Sequence, residues 1–223
     1  MSAETTVFTL PVFPLNTVLF PGMPIALHIF EERYKQMVKD LQSADGRFCV
    51  ALIREGVEVG GQAEPHSIAC VAWTLQLHEL ADKRYNMLAM GERRVQILDT
   101  DRISKPYLVG TVKALPDEGP PPDPALVSTA TKMFLEYTQH LMKFTGRQLK
   151  DIPLPTEPEA LSYILAGCLQ VTMHQRQRLL EMPGCALRLQ SEVDLLRAEL
   201  PVLRALASGP GPRTIDGTHF SIN

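Results

Sequence analysis

The run from Leu10 to Tyr34 constrains the fold more than any other stretch of this chain. It begins Leu10-Pro-Val-Phe-Pro-Leu and continues through Phe20-Pro-Gly-Met-Pro-Ile-Ala-Leu27, placing four prolines among large apolar residues before a helix-like pattern starts. Proline fixes φ and removes a backbone donor, so the run is not expected in the middle of a regular sheet. It reads as an extended path that bends at Pro14 and at Pro21-Gly22, and its apolar side chains demand a core to cover them. Nothing downstream reads as an active site.

A length of 223 residues fits one large domain or two small ones. A hydrophobic share of 45% is ample for a core, and a net charge of −3 argues against a nucleic-acid partner, which would bring a basic face. The cysteines Cys49, Cys70, Cys168 and Cys185 are far apart and form no Cys-x-x-Cys, as expected of buried reduced thiols in a cytoplasmic protein. The start, Met-Ser-Ala-Glu-Thr-Thr, has no secretory pattern, and no apolar stretch reaches the roughly 20 residues of a membrane span.

Periodicity divides the chain. From Val7 to about Pro116 it reads as β, with strands at 48–53, 68–77, 85–90, 94–98 and 107–115 and a bend or bulge at Gly91. The exception is Phe30–Leu41, where Phe30, Tyr34, Met37, Val38 and Leu41 recur at helical spacing. The stretch 117–124 reads as a proline-rich linker. From 125 to 207 the period is helical: a long helix ended or weakened by Gly146, a second around Leu161–Leu169, a short one at 175–180, and a last one from about Ala186 to Ala207 that Pro201 should kink or end. The tail 208–223 carries Gly-Pro-Gly-Pro and reads as flexible.

Two motifs together resemble the N-terminal, substrate-binding domain of the Lon protease family. One is Leu10-Pro-Val-Phe-Pro-Leu followed by Phe20-Pro-Gly-Met-Pro-Ile-Ala-Leu27; the other is Gly91-Glu-Arg-Arg-Val-Gln-Ile97. The apolar helix at 160–169 and Arg176-Gln-Arg-Leu-Leu-Glu181 extend the likeness. Two departures are Ala69, where the family usually has glycine, and the turn Glu79–Arg84, which lacks a glycine many members carry. The resemblance implies an α+β fold: a β-rich, PUA-like barrel subdomain with one helix, then an all-α helical bundle. No Gly-x-x-x-x-Gly-Lys-Ser/Thr loop is present, so the expectation is a stand-alone member without the ATPase and protease domains.

The chemistry-bearing residues form no constellation. The histidines show no metal-ligand spacing, Cys49 and Cys70 lie in apolar strands, and no Gly-x-Ser-x-Gly elbow occurs. Arg94 alternates with Val95 and Ile97, which suits a structural arginine that ties down loop carbonyls or a carboxylate. No cofactor, metal, nucleic acid or membrane is expected. What remains is an apparent excess of large apolar residues in the β half. Phe13, Leu15, Phe20, Met23, Ile25, Met87 and Met90, with Arg93 beside them, are the candidate peptide-binding surface. The expected function is a non-catalytic module that binds unfolded or flexible polypeptide. The alternative is a hydrolase, or a regulatory subunit of an ATP-dependent protease. A weak homo-oligomer through the last helix is left open.

Overall fold

The computed structural model describes residues 7–60, 62–145 and 154–208. Its strands are β1 (Val7–Leu15), β2 (Pro24–Ile29), β3 (Arg47–Gly56), β4 (Ala63–Pro65), β5 (Ile68–Glu79), β6 (Tyr85–Asp101) and β7 (Leu108–Ala114). Its helices are α1 (Glu32–Gln42), α2 (Pro124–Thr145), α3 (Pro158–Cys168), α4 (Met173–Glu181) and α5 (Cys185–Ser208). The class is α+β.

The strand order β1-β7-β6-β5-β3-β4, with a further pairing of β1 to β3, closes five strands into a ring; β2 and β4 hang from β6 and β3. The proline-rich run does enter the sheet, against the expectation, and the reason is a change of partner. Residues Val7 to Val12 pair antiparallel with β7, whereas Val12 to Leu15 pair parallel with β3. Pro11 and Pro14 lie on either side of that switch. Each half of β1 has its own single partner strand, which leaves a side where a missing N–H costs nothing.

Two cores follow from the alternation of side chains across strands. One draws only on the five ring strands and uses small residues: Val12, Cys49, Ala51, Ala69, Val71, Val95 and Val112 among others. The second adds α1 and β2, joining Phe13, Leu15, Tyr34, Met37, Val38, Phe48, Val50 and Met87. Strand β3 is therefore buried on both faces, as its unbroken apolar run requires. The two strands expected around Gly91 are one strand, β6, whose register against β5 shifts between Val71 and Ala72, opposite Arg93 and Gly91.

By proximity of Cα atoms the described residues divide into two units, one of those up to 121 together with 154–188, the other of 122–145 and 189–208. Helices α3, α4 and the first turn of α5 group with the strands. In the second unit α2 buries Ala130, Phe134 and Tyr137, and α5 buries Leu189, Val193, Leu196, Leu200 and Leu203. Arg204 donates to Glu136 at 2.7 Å across these two helices. Helix α5 does not end at Pro201 but runs on to Ser208. Gly146 and the tail from 209 lie outside the described residues. No helix among them is long and apolar enough to cross a membrane.

Candidate functional site

The two sequence motifs meet in space. The turn at Pro21-Gly22 docks on β6: Gly22 donates its N–H to the Gly91 carbonyl at 2.8 Å, and Gly91 donates to the Met23 carbonyl at 2.9 Å. Gly22 has φ +75, and a Cβ on Gly91 would stand 2.2 Å from the Phe20 carbonyl oxygen. Gly22 supplies the left-handed conformation of the turn, and Gly91 lets backbone approach backbone this closely.

Three residues beyond Gly91, Arg94 points into a buried polar cluster. It donates to the carbonyls of Leu180, at 2.9 Å, and Met182, and to the Asp117 carboxylate at 2.5 Å. Arg188 takes the other oxygen of Asp117 at 2.6 Å and donates to the Ser162 hydroxyl at 2.8 Å. The Tyr163 hydroxyl donates to Asp117 at 3.0 Å, and the Arg188 guanidinium lies 3.9 Å from the centre of the Tyr163 ring. Burial raises the Tyr163 hydroxyl above its ordinary range. Desolvated charges of this kind persist only when paired and hydrogen-bonded, and Asp117 supplies the pairing for both arginines. The structural role expected of Arg94 is met.

In front of this cluster, between α3 and the edge formed by β1, β6 and β7, lies an open groove of about 800 Å³. Phe8, Leu10, Pro21, Ala114, Leu115, Pro116 and Tyr163 form its apolar lining; Asp45, Arg47, Glu92, Arg93, Arg94 and Glu159 supply charge. The charged wall is stapled: Arg47 pairs with Asp45 at 3.0 Å and Glu92 at 2.6 Å, and Arg93 pairs with Glu92 at 2.6 Å. Burial pushes the Glu92 carboxyl up, but the two arginines outweigh it and hold the group low. Glu159 behaves oppositely; burial, then the nearby Asp117 and Glu157 carboxylates, raise it. Among the described residues lining the groove there is no serine, cysteine, threonine, histidine or lysine.

The expected binding surface is divided by burial. Phe13 (6% exposed), Leu15 (5%), Phe20 (1%) and Met87 (2%) are core, a correction to their reading as contact residues. Their excess over what a bare barrel could hide is absorbed by α1 and β2, which build the second core. Met23 and Ile25 are half-buried against that core. Met90 is half-buried and pairs with Trp73 and Pro24 across the outer side of the sheet. Only Arg93 of the expected set lines the groove, and it is exposed. The residues that sequence reasoning missed are Phe8, Leu115, Asp117, Glu159 and Tyr163. Asp117 sits in a stretch whose prolines signalled only a linker, and no local pattern marks an aspartate as the partner of arginines 23 and 71 residues away.

The thiols are far from any such role. Burial lifts Cys49 to about 12 and Cys185 to about 11, and raises Cys70 further. His28 is a surface residue whose Nδ1 lies 2.8 Å from the Asn86 side-chain oxygen. Among the described residues no group of three His, Cys, Asp or Glu side chains is placed to hold a metal.

A family model described as the ATP-dependent protease La (LON) substrate-binding domain matches residues 9–198. The Lon protease of Anaeromyxobacter dehalogenans is 24% identical over 200 residues, covering 87% of this chain and 24% of that protein. Lon protease 2 of Herpetosiphon aurantiacus is 28% identical over 211 residues, covering 91% of this chain and 25% of that protein. The chain thus spans about a quarter of the length of these curated relatives. Among solved structures, the Lon N-terminal domain protein from Xanthomonas campestris superposes with a TM-score of 0.64 at 25% identity, over 84% of this chain and 98% of that one. The N-terminal domain of the Mycobacterium avium complex Lon protease gives 0.61 at 18% identity, over 85% of this chain and 98% of that one, a likeness of fold alone.

Proposed function

Because the chain belongs to the LON substrate-binding domain family, we propose that it is a protein-binding module that takes flexible or unfolded polypeptide into the groove between α3 and the β1–β6–β7 edge. The observation that carries this reading is the groove itself: a wide, open, largely apolar concavity with a charged rim. An extended segment can lay large side chains on the half-buried Phe8 and Leu115 while its backbone stays at the wet rim. The reading involves no bond-breaking by this chain. A protease is the natural recipient of what it holds, since the curated relatives are Lon proteases.

The test is fluorescence anisotropy with labelled, reduced and carboxymethylated α-lactalbumin, against the native protein as control. The unfolded form binds and the native form does not. Phe8→Ala and Leu115→Ala each weaken binding about three- to tenfold, the ordinary range for truncating an apolar contact at the centre of an interface. Equal binding by the wild type and both variants would remove the groove from the proposal. ATP-independent cleavage of casein by the purified chain, abolished by replacing one Ser, Cys or His, would establish the hydrolase in its place.

A further inference from the structure

Six charged side chains line the groove, and five of them are in ion pairs with described partners. Arg47 holds Asp45 and Glu92, Glu92 also holds Arg93, and Arg94 is held by Asp117. Glu159 is the exception. Its backbone N–H donates to Glu157 and its carbonyl accepts from Ser162, but its carboxylate has no ion pair or hydrogen bond among the described residues. It sits in the first turn of α3, where the helix dipole favours a negative charge. Burial, with Asp117 and Glu157 nearby, raises the group, Arg188 and Arg94 offsetting part. The groove therefore offers an apolar floor with one unmatched carboxylate on its α3 wall. Its arginines are already occupied, including Arg93, the most exposed of them.

We infer that the groove selects polypeptide segments in which a lysine or arginine stands next to a large apolar residue, with Glu159 as the partner of the cation. This rests on the groove being the polypeptide site proposed above. The apolar side chain would occupy the Phe8–Leu115 floor. The neighbouring lysine or arginine would keep its aliphatic stem against the groove and its charged head at the Glu159 carboxylate. An acidic segment would meet that carboxylate unfavourably and find no arginine without a partner.

The experiment uses the full chain and four peptides, acetylated at the N-terminus and amidated at the C-terminus so that no terminal charge takes part. They share the sequence Gly-Ser-Phe-Xaa-Leu-Ser-Gly, with Xaa as lysine, arginine, acetyl-lysine or glutamate, and each carries the same dye. The lysine and arginine peptides bind about three- to fivefold more tightly than the acetyl-lysine peptide, as for a partly exposed ion pair, and the glutamate peptide binds most weakly. The preference shrinks as salt rises. Glu159→Gln removes the difference between the lysine and acetyl-lysine peptides, and Glu159→Lys reverses the preference towards glutamate. The residue is exposed, so both variants keep the fold, which circular dichroism checks. Equal binding of all four peptides by the wild type, with Phe8→Ala still weakening each, overturns the selectivity and leaves the groove reading standing. Persistence of the lysine preference in Glu159→Gln also overturns it. No binding of any peptide, or binding indifferent to Phe8→Ala and Leu115→Ala, overturns both.

Discussion

At Gly91 the side chain is excluded by geometry: any Cβ would lie 2.2 Å from the Phe20 carbonyl oxygen and 3.2 Å from the Cys70 sulfur. The obstacle is backbone held by two hydrogen bonds, so the turn must move for the methyl to fit. Gly91→Ala is expected to lose about 2–4 kcal/mol of stability in urea unfolding, at the upper end for a single substitution. A loss below about 0.5 kcal/mol, the usual surface range, would mean that the 20–23 turn is not locked to β6. Lys83 presents the opposite case. It has φ +60, the left-handed region, in the turn where the absence of a glycine was noted from sequence. Its N–H donates to Leu80 at 2.9 Å and Leu80 donates to the Arg84 carbonyl at 2.8 Å, so the turn is formed despite the strain. A left-handed L-residue costs roughly 1–2 kcal/mol, and glycine gives back part of that through its looser unfolded chain. Lys83→Gly is therefore expected to raise stability by about 0.5 kcal/mol. An unchanged or lower urea midpoint would show that the turn carries no strain to relieve.

Elements were legible where one period ran uninterrupted, and less so where a residue's partner lies far along the chain. The stripes of α1, α2 and α5 and the strand core of β3 stand plainly in the sequence, because amphipathic and two-faced burial leave a local pattern. The placement of Pro11 and Pro14 inside β1 was not legible, because it depends on a change of partner at Val12 that no local pattern encodes. Of the site, Arg94 and Arg93 could be read from their motif, while Asp117, Glu159 and Tyr163 come from a linker and a helix with no special spacing. The Arg94 cluster is what fastens β6 to the turn after α4, and its removal tests that link. Arg94→Met leaves the Leu180 and Met182 carbonyls short of a donor and Asp117 with one arginine fewer. Breaking a buried pair from one side costs about 3–5 kcal/mol, and Arg94→Lys is expected to recover less than half, because an ammonium cannot serve three acceptors in the guanidinium's planar fork. Full rescue by lysine would reduce the cluster to a simple charge contact.

At the scale of the molecule, a closed ring with α1 and β2 against it has two cores, which hold more large apolar residues than a bare barrel could. Phe13, Leu15 and Met87 serve the second of these. The same packing of α1 has an electrostatic lock at its end. Asp40 accepts from the Tyr107 hydroxyl at 2.6 Å, from the Lys105 ammonium at 2.9 Å and from Gln36 at 2.8 Å, tying α1 to the segment that leads into β7. Those three donors, Tyr107 first, lower the Asp40 carboxyl from 3.8 to about 2. A carboxylate depressed in the folded state binds fewer protons there than in the unfolded chain, so it favours folding above its unfolded value. The contribution is complete above 3.8, drains away as pH falls, and is gone below about 2. Asp40→Asn should accordingly be less stable than the wild type at neutral pH, with the gap in urea midpoint closing as pH falls through that window. Asparagine still accepts from Tyr107 but cannot ionise, so what closes is the ionic part alone. A gap that stays constant from neutral pH down to about pH 2 would mean that the Asp40 charge does not hold α1 in place.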